Sequence, residues 1–496
     1  DLADKTAGAG KLLIERLALY PEYANDLPQW VDPSVEPLVL QAIDGSGFPR
    51  TENWAAGAVE DPPEIDLARV TAIAKRGPSA DLADILGKAE SGEGLSEDDI
   101  VRLFKARGSD YTAVCQAADK MRRQVAGDEV TYCVNRNINY TNVCYFKCQF
   151  CAFSKGKMSE NLRGKPYDLS HEEIMRRTKE AGDRGASEVC LQGGIHPEYT
   201  GQTYIDIVRS IKQVNPDMHI HAFSPLEVWQ GAKTLGVSIS EFLGQLKEAG
   251  LGTLPGTAAE ILDDEVRATL CPDKINTAQW LEVMEAAHGQ GFNTTATIMY
   301  GHMEQYKHVA RHLLRIRDLQ EKTGGFTEFV ILPFIHMESP IYLKGRARKG
   351  PTFREAILIH AISRLVLHPL FKNIQASWTK LGHEGVRACL QAGVNDLGGT
   401  LMNETITRAA GAAHGQETSP EEMEEIIRSI GRTPRQRSTT YGEITELQRQ
   451  KSFGAVTLLE PTYTSAKKYE RKQSKKKQEL VRNELEPEKL TSQDII

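Results

Sequence analysis

Between about residues 130 and 400 the chain repeats one alternation, a short apolar or β-branched run followed by an amphipathic stretch of helical spacing. The runs are VTYCVN, EVCLQGG, HIHAFS, GTLPG, TTATIMYG, TEFVILPF, NIQASW and GVNDLG. Strands that alternate with helices in this way must run parallel, because each helix carries the chain back along the sheet. Eight such units fit a closed α/β barrel of (β/α)8 TIM type, whose functional groups gather where its strands end. A doubly wound open sheet is the alternative.

The flanks read differently. Residues 1–54 hold a short amphipathic run and a Pro-rich segment, too little to fold alone. Residues 55–66, AAGAVEDPPEID, have the Gly, Pro and acidic character of a linker. Helical spacing over 67–127 predicts a helical prelude, and the barrel domain is expected over 128–445. The extension 446–496 ends in a charge-rich tail with few apolar anchors, expected to be a solvated helix or disordered.

A net charge of −7 gives no general reason to expect nucleic acid as a partner. No apolar run approaches the roughly 18 residues of a membrane span. The chain opens on Asp1 rather than Met and without the pattern of a signal peptide, as expected of a processed or a cut chain, so any original targeting segment is out of view.

Eight cysteines in 496 residues are too sparse for a disulfide scaffold, yet three of them, Cys144, Cys148 and Cys151, fall within NYTNVCYFKCQFCAF. That clustering implies a metal site in a reducing compartment, the cytoplasm by default, with an organelle still open. The spacing Cys-x3-Cys-x2-Cys follows the first strand run, where one loop can aim three thiolates at one centre. Thiolates suit soft metals, and three of them on a four-iron cluster leave one iron open. Zinc competes, but a structural zinc site normally takes four protein ligands, and no second pair of suitable spacing follows. Cys115, Cys133, Cys190, Cys271 and Cys389 are scattered and read as buried, inert thiols.

The cysteine motif, with Phe150 just before its third member, resembles the radical S-adenosylmethionine superfamily. The next strand run ends in LQGGIHP, where Gly193 and Gly194 match the paired glycines that admit the methionine end of the cofactor. Ile195 stands where many relatives carry an acidic residue. The resemblance also implies cofactor contacts at Glu227 in HAFSPLEVW and at Ile298 and Met299 in TTATIMYGHME. A helix-start carboxylate and core packing are the plainer readings of these three.

Longer segments resemble one family within it. NRNINYTNVCYFKCQFCAFSKG, HAFSPLEV, LPGTAAEILDDEVR, FVILPFIHMESP, QASWTKLG and GVNDLGGTLMNETITRAAGAAHG look like the tyrosine-using half of deazaflavin (FO) synthase. Residues 10–54 look like the tail of the partner half, as in fused synthases. The resemblance implies a [4Fe–4S] cluster and S-adenosylmethionine as cofactors, an electron donor such as flavodoxin or ferredoxin, and a partner synthase half. The implied reaction breaks the Cα–Cβ bond of L-tyrosine after hydrogen abstraction by a 5′-deoxyadenosyl radical. The hydroxybenzyl fragment then adds to 5-amino-6-(D-ribitylamino)uracil, leaving 2-iminoacetate, methionine and 5′-deoxyadenosine, in the biosynthesis of coenzyme F-420.

Such substrates need hydrogen-bond partners at the strand ends, for which His336, Ser339, Gln375, Ser377, Asn395, Asp396 and Glu404 are candidates. Turn and capping roles are the alternative for Asn395 and Asp396. Trp378 reads as packing. Two rivals stay open: a menaquinone-pathway enzyme of aminofutalosine or dehypoxanthinylfutalosine type, and a zinc-stabilised scaffold without catalysis.

Overall fold

The computed structural model describes residues 20–72, 77–154 and 165–464. The charged tail beyond residue 464 and the first nineteen residues lie outside the described residues. Among the described residues, no helix is long and apolar enough to cross a membrane.

All eight expected runs form strands: β1 (Glu129–Cys133), β3 (Glu188–Leu191), β4 (His219–His221), β5 (Thr253–Leu254), β6 (Asn293–Tyr300), β7 (Phe326–Pro333), β8 (Asn373–Ala376) and β9 (Asp396–Gly399). Two further strands are β2 (Asn135–Ile138) and β10 (Thr433–Gln436). Every pairing is parallel, in the order β10-β1-β9-β8-β7-β6-β5-β4-β3-β2. β1 and β2 are halves of one strand parted at Val134, the first bonded to β9 and the second to β3. Arg136 on the second half also bridges Met402. The sheet thus curls until both of its ends meet on that strand, the expected barrel rather than an open doubly wound sheet.

The helix Phe353–Leu367, FREAILIHAISRLVL, is buried on all sides. A helix apolar around most of its circumference has to be covered twice. The barrel covers one side, and the prelude helices Ala80–Ser91, Glu97–Phe104 and Ser109–Ala126 cover the other.

Residues 44–57, expected to straddle a remnant and a linker, are built into this body. Buried Arg50 donates to the carbonyls of Gly350 (2.7 Å), Trp54 (2.9 Å) and Pro351 (3.1 Å). The Glu52 carboxylate accepts from the Phe353 amide at 2.6 Å, and the Trp54 ring meets the Phe353 ring edge-on at 5.1 Å. Gly57 donates to the Lys380 carbonyl at 2.6 Å and accepts from the Ala413 amide at 2.8 Å. Helix Glu64–Thr71 then begins inside the supposed linker.

Candidate active site

The three cysteines occupy the loop that leaves β2 at the C-terminal mouth of the barrel. Its neighbours hold that loop by the backbone. Tyr145 donates to the Ile195 carbonyl (2.8 Å), Gln149 to that of Leu270 (2.8 Å), and Ile341 to the Gln149 carbonyl (2.7 Å). The Lys147 amide donates to the Asp273 carboxylate at 3.1 Å. The segment after β3, the end of helix Asp264–Leu270 and the short helix Pro340–Leu343 after β7 therefore converge on one half-buried loop.

Two of the sulfurs already accept N–H groups, Cys144 from Ile195 at 3.3 Å and Cys151 from Ser154 at 3.4 Å. Burial pushes the Cys144 thiol up to about 11 and raises Cys148 and Cys151 as well. Such thiols keep their protons unless a metal displaces them. A single tetrahedral ion about 2.3 Å from each sulfur would draw the three within about 3.8 Å of one another. Among the described residues the one trio of ligand atoms within 4.8 Å is instead Asp263, Glu265 and His308, which Arg311 and Arg315 already neutralise. Three sulfurs on one loop that are not all within 4.8 Å of one another, two of them N–H-bonded, fit a cluster better than a mononuclear ion.

Gly193 and Gly194 form a cradle beside that loop. A Cβ at Gly193 would run into the Tyr140 ring, and one at Gly194 into the Val143 carbonyl oxygen and, at 2.9 Å, Cys144 Cβ. Only glycine brings this backbone against the cysteine loop.

Glu227 is fully buried at the start of helix Pro225–Leu235. It completes a capping box, accepting from the Ser224 amide (2.7 Å) and hydroxyl, while its other oxygen accepts from the Tyr140 hydroxyl. Burial raises its pKa against these bonds and one from the Gly193 amide. Capping and cradle support therefore use the carboxylate that the resemblance assigned to the cofactor.

Ile298 and Met299 separate cleanly, because neighbours on a strand point to opposite faces. The register sets Thr295, Thr297 and Met299 beside Glu328, Val330 and Leu332, the face that includes the interior ion cluster. Ala296 and Ile298 lie beside Phe329 and Ile331, and Phe329 meets His312 of the outer helix Tyr306–Thr323. Half-buried Met299 lines the interior, and Ile298 is core.

The candidates for substrate contact are dispersed. His336 is buried just past β7, with its ring 4.5 Å from that of Tyr342 and Nδ1 without a hydrogen-bond partner among the described residues. Burial lowers its pKa to about 4, so the ring is neutral near pH 7. Ser377 follows β8 at the mouth, 3.1 Å from the Thr379 hydroxyl. Ser339 reaches the Gln149 carbonyl at 3.5 Å and so braces the cysteine loop. The Glu404 carboxylate accepts the amides of Ile406 and Thr407 at 2.9 Å.

Asn395 and Asp396 open β9 rather than end it. Asn395 accepts from Arg364 at 2.7 Å on the helix side. Asp396 pairs inside the barrel with Arg437 at 2.7 and 3.0 Å. Gln375 is in register with Asp396, its amide filling the space a side chain at Gly398 would need. Arg437 also reaches Glu328 at 3.1 Å, and Tyr441 donates to Glu328 at 2.6 Å. Trp378 donates to the Gly399 carbonyl at 2.9 Å, a packing role.

Spacing gave no sign of Tyr140, Gln149 or the buried pair Lys274 and Glu260 beside the cysteine loop. Asn403 Nδ2 and His414 Nε2, buried in the segment after β9, also have no hydrogen-bond partner among the described residues.

A parallel barrel with a three-cysteine loop and a glycine cradle at its mouth defines a radical S-adenosylmethionine fold and site. Two sequence patterns match the chain, "Radical SAM superfamily" over residues 138–316 and "CofH/MqnC C-terminal region" over 323–450. The FO synthase of Mycobacterium leprae is 42% identical over 480 residues, 89% of this chain and 55% of that protein. That of Streptomyces coelicolor is also 42% identical, over 91% of this chain and 56% of that protein. The chain thus spans about half the length of these relatives. The 5-amino-6-(D-ribitylamino)uracil–L-tyrosine 4-hydroxyphenyl transferase of Methanothermobacter thermautotrophicus is 47% identical over 363 residues, 73% of this chain and 98% of that protein. Methylornithine synthase (PylB) shares the fold at a TM-score of 0.56 and 18% identity, over 71% of this chain and 97% of that one. The chain belongs to the FO synthase-related family of the radical SAM superfamily, with the CofH/MqnC C-terminal region. That family implies a [4Fe–4S] cluster and S-adenosylmethionine, and the site fits both.

Proposed function

We propose that this chain cleaves the Cα–Cβ bond of L-tyrosine and transfers the 4-hydroxybenzyl group to 5-amino-6-(D-ribitylamino)uracil, a step toward FO. The observation that carries this reading is the 47% identity to the archaeal transferase over 98% of that protein's length. Cys144, Cys148 and Cys151 would hold the cluster, which would supply the electron for reductive cleavage of S-adenosylmethionine and so the radical chemistry of the reaction.

The chain's own residues exclude water and hold the target hydrogen close, because a primary carbon radical attacks any neighbouring C–H or N–H. Gly193 and Gly194 set the cofactor's methionine end against the cysteine loop. Met299 offers an apolar wall inside the mouth. Neutral His336, with Nδ1 open, and Ser377 offer polar contacts to the substrates. Ser339, Glu404, Asn395 and Asp396 act one step back, since their polar atoms hold loops and strands. A flavodoxin- or ferredoxin-type donor supplies the electron, and the partner half, whose tail residues 10–54 resemble, consumes the product.

The test incubates reduced, reconstituted protein with S-adenosylmethionine, tyrosine and the diaminouracil, and seeks the hydroxybenzyl adduct by mass spectrometry. Adduct formation that requires tyrosine supports the reading. Turnover without tyrosine points to the menaquinone-type chemistry and refutes it.

A further inference from the structure

Beside the cysteine loop lies a charge pair that the reaction above does not use. Lys274 sits in the turn after helix Asp264–Leu270, the same turn on which the loop leans through Gln149 to Leu270 (2.8 Å) and Lys147 to Asp273 (3.1 Å). Only 7% of Lys274 is exposed. Its Nζ lies 5.5 Å from the centroid of the Phe150 ring, next in sequence to Cys151, and it forms an ion pair with buried Glu260.

We propose that Lys274 sets how readily the cluster held by Cys144, Cys148 and Cys151 accepts its electron, with Glu260 as the counter-charge that damps it. Reduction adds one negative charge to a cluster already carrying three thiolates. A fixed cation in a poorly solvated site favours the reduced state, and cluster potentials respond to nearby charge and burial. Lys274 bears on all three thiols, lowering each against the effect of burial. Burial opposes its own charge, but Glu260, Cys148 and Cys271 more than restore it, so the ammonium stays protonated. The step therefore moves one electron from a low-potential one-electron carrier to the cluster. No bond forms or breaks and Lys274 exchanges no proton.

This inference rests on the cysteine loop holding a cluster and is independent of the substrate. The test is an EPR-monitored redox titration of the anaerobically reconstituted full chain, without S-adenosylmethionine. Iron content and melting temperature are measured on each variant, and loading of the unchanged chain is the control. Lys274→Met should make the ratio of reduced to oxidised cluster about tenfold smaller at fixed poise, a midpoint about 59 mV lower for one electron. Glu260→Gln should move the midpoint upward, and Lys274→Arg should stay near the unchanged chain. A purely structural ion pair predicts lost iron or lower melting temperature with no signed shift. An unchanged midpoint in a fully loaded Lys274→Met, or shifts of the same sign in Lys274→Met and Glu260→Gln, overturns the proposal. Should Lys274→Met fail to load, an unchanged midpoint in Glu260→Gln overturns it equally.

Discussion

The Tyr140 hydroxyl donates to the Glu227 carboxylate while the Tyr140 ring fills the space a side chain at Gly193 would need. One residue thus ties the glycine cradle to the end of β4 and gives a buried carboxylate one of its partners.

Removing that hydroxyl should matter more at high pH. Burial already raises the Glu227 pKa, and the Tyr140 bond lowers it. A carboxyl with a raised folded pKa favours folding when protonated, and that contribution is lost as pH rises through the folded value. Tyr140→Phe leaves a buried acceptor short of a donor, a cost of about 1–3 kcal/mol. The melting-temperature gap between Tyr140→Phe and the unchanged chain should widen from pH 5 to pH 8. A gap independent of pH would refute this account of Glu227.

Gly194→Ala should perturb the cysteine loop directly, because its Cβ would meet the Val143 carbonyl oxygen and Cys144 Cβ. Overpacking of this kind costs about 1–3 kcal/mol. Iron content after reconstitution should fall, and binding of S-adenosylmethionine by calorimetry should weaken. Unchanged iron and affinity would show that the backbone there is free to move.

Arg437→Met should destabilise the barrel strongly, since it strands Asp396 and Glu328 inside it. Breaking a buried pair on one side costs about 3–5 kcal/mol. Chemical denaturation should show that loss, and the double variant Arg437→Met with Asp396→Asn should recover part of it. Additive losses would mean the two side chains do not interact.

Burial holds five histidines well below their ordinary value: His221, His288, His336 and His360 at about 4 and His312 at about 3. They are neutral in the folded chain, whereas the unfolded chain protonates them below about 6.5. Their contribution is complete above about 6.5 and is lost as pH falls toward 4. Calorimetry should find a steep fall in melting temperature over that interval. His360→Leu, at a ring whose Nε2 has no hydrogen-bond partner among the described residues, should make the fall shallower.

Much of this was legible in the sequence. The β-branched runs located all eight barrel strands, and the cysteine spacing located the loop, because both signals are local. Strand ends were less legible. GVNDLG was read as a strand ending in polar groups, but β9 starts at Asp396, so Asn395 and Asp396 belong to its beginning. Ile298 and Met299 were grouped although alternation sends them to opposite faces. β10, TPRQ, carries no strand signature and forms because β1 offers it an edge. The strap 44–57 read as the end of a remnant and the start of a linker because its partners, Gly350, Phe353 and Lys380, lie some 300 residues away in sequence. Tyr140, Lys274 and Glu260 were invisible for the same reason.

The central claim is that three thiolates hold a four-iron cluster with one iron left for S-adenosylmethionine. EPR of the reduced, anaerobically reconstituted chain, recorded before and after S-adenosylmethionine is added, tests it directly. The account predicts about four irons per chain and a cluster signal that changes on addition. A colourless protein with one zinc, or a cluster signal indifferent to S-adenosylmethionine, would contradict it.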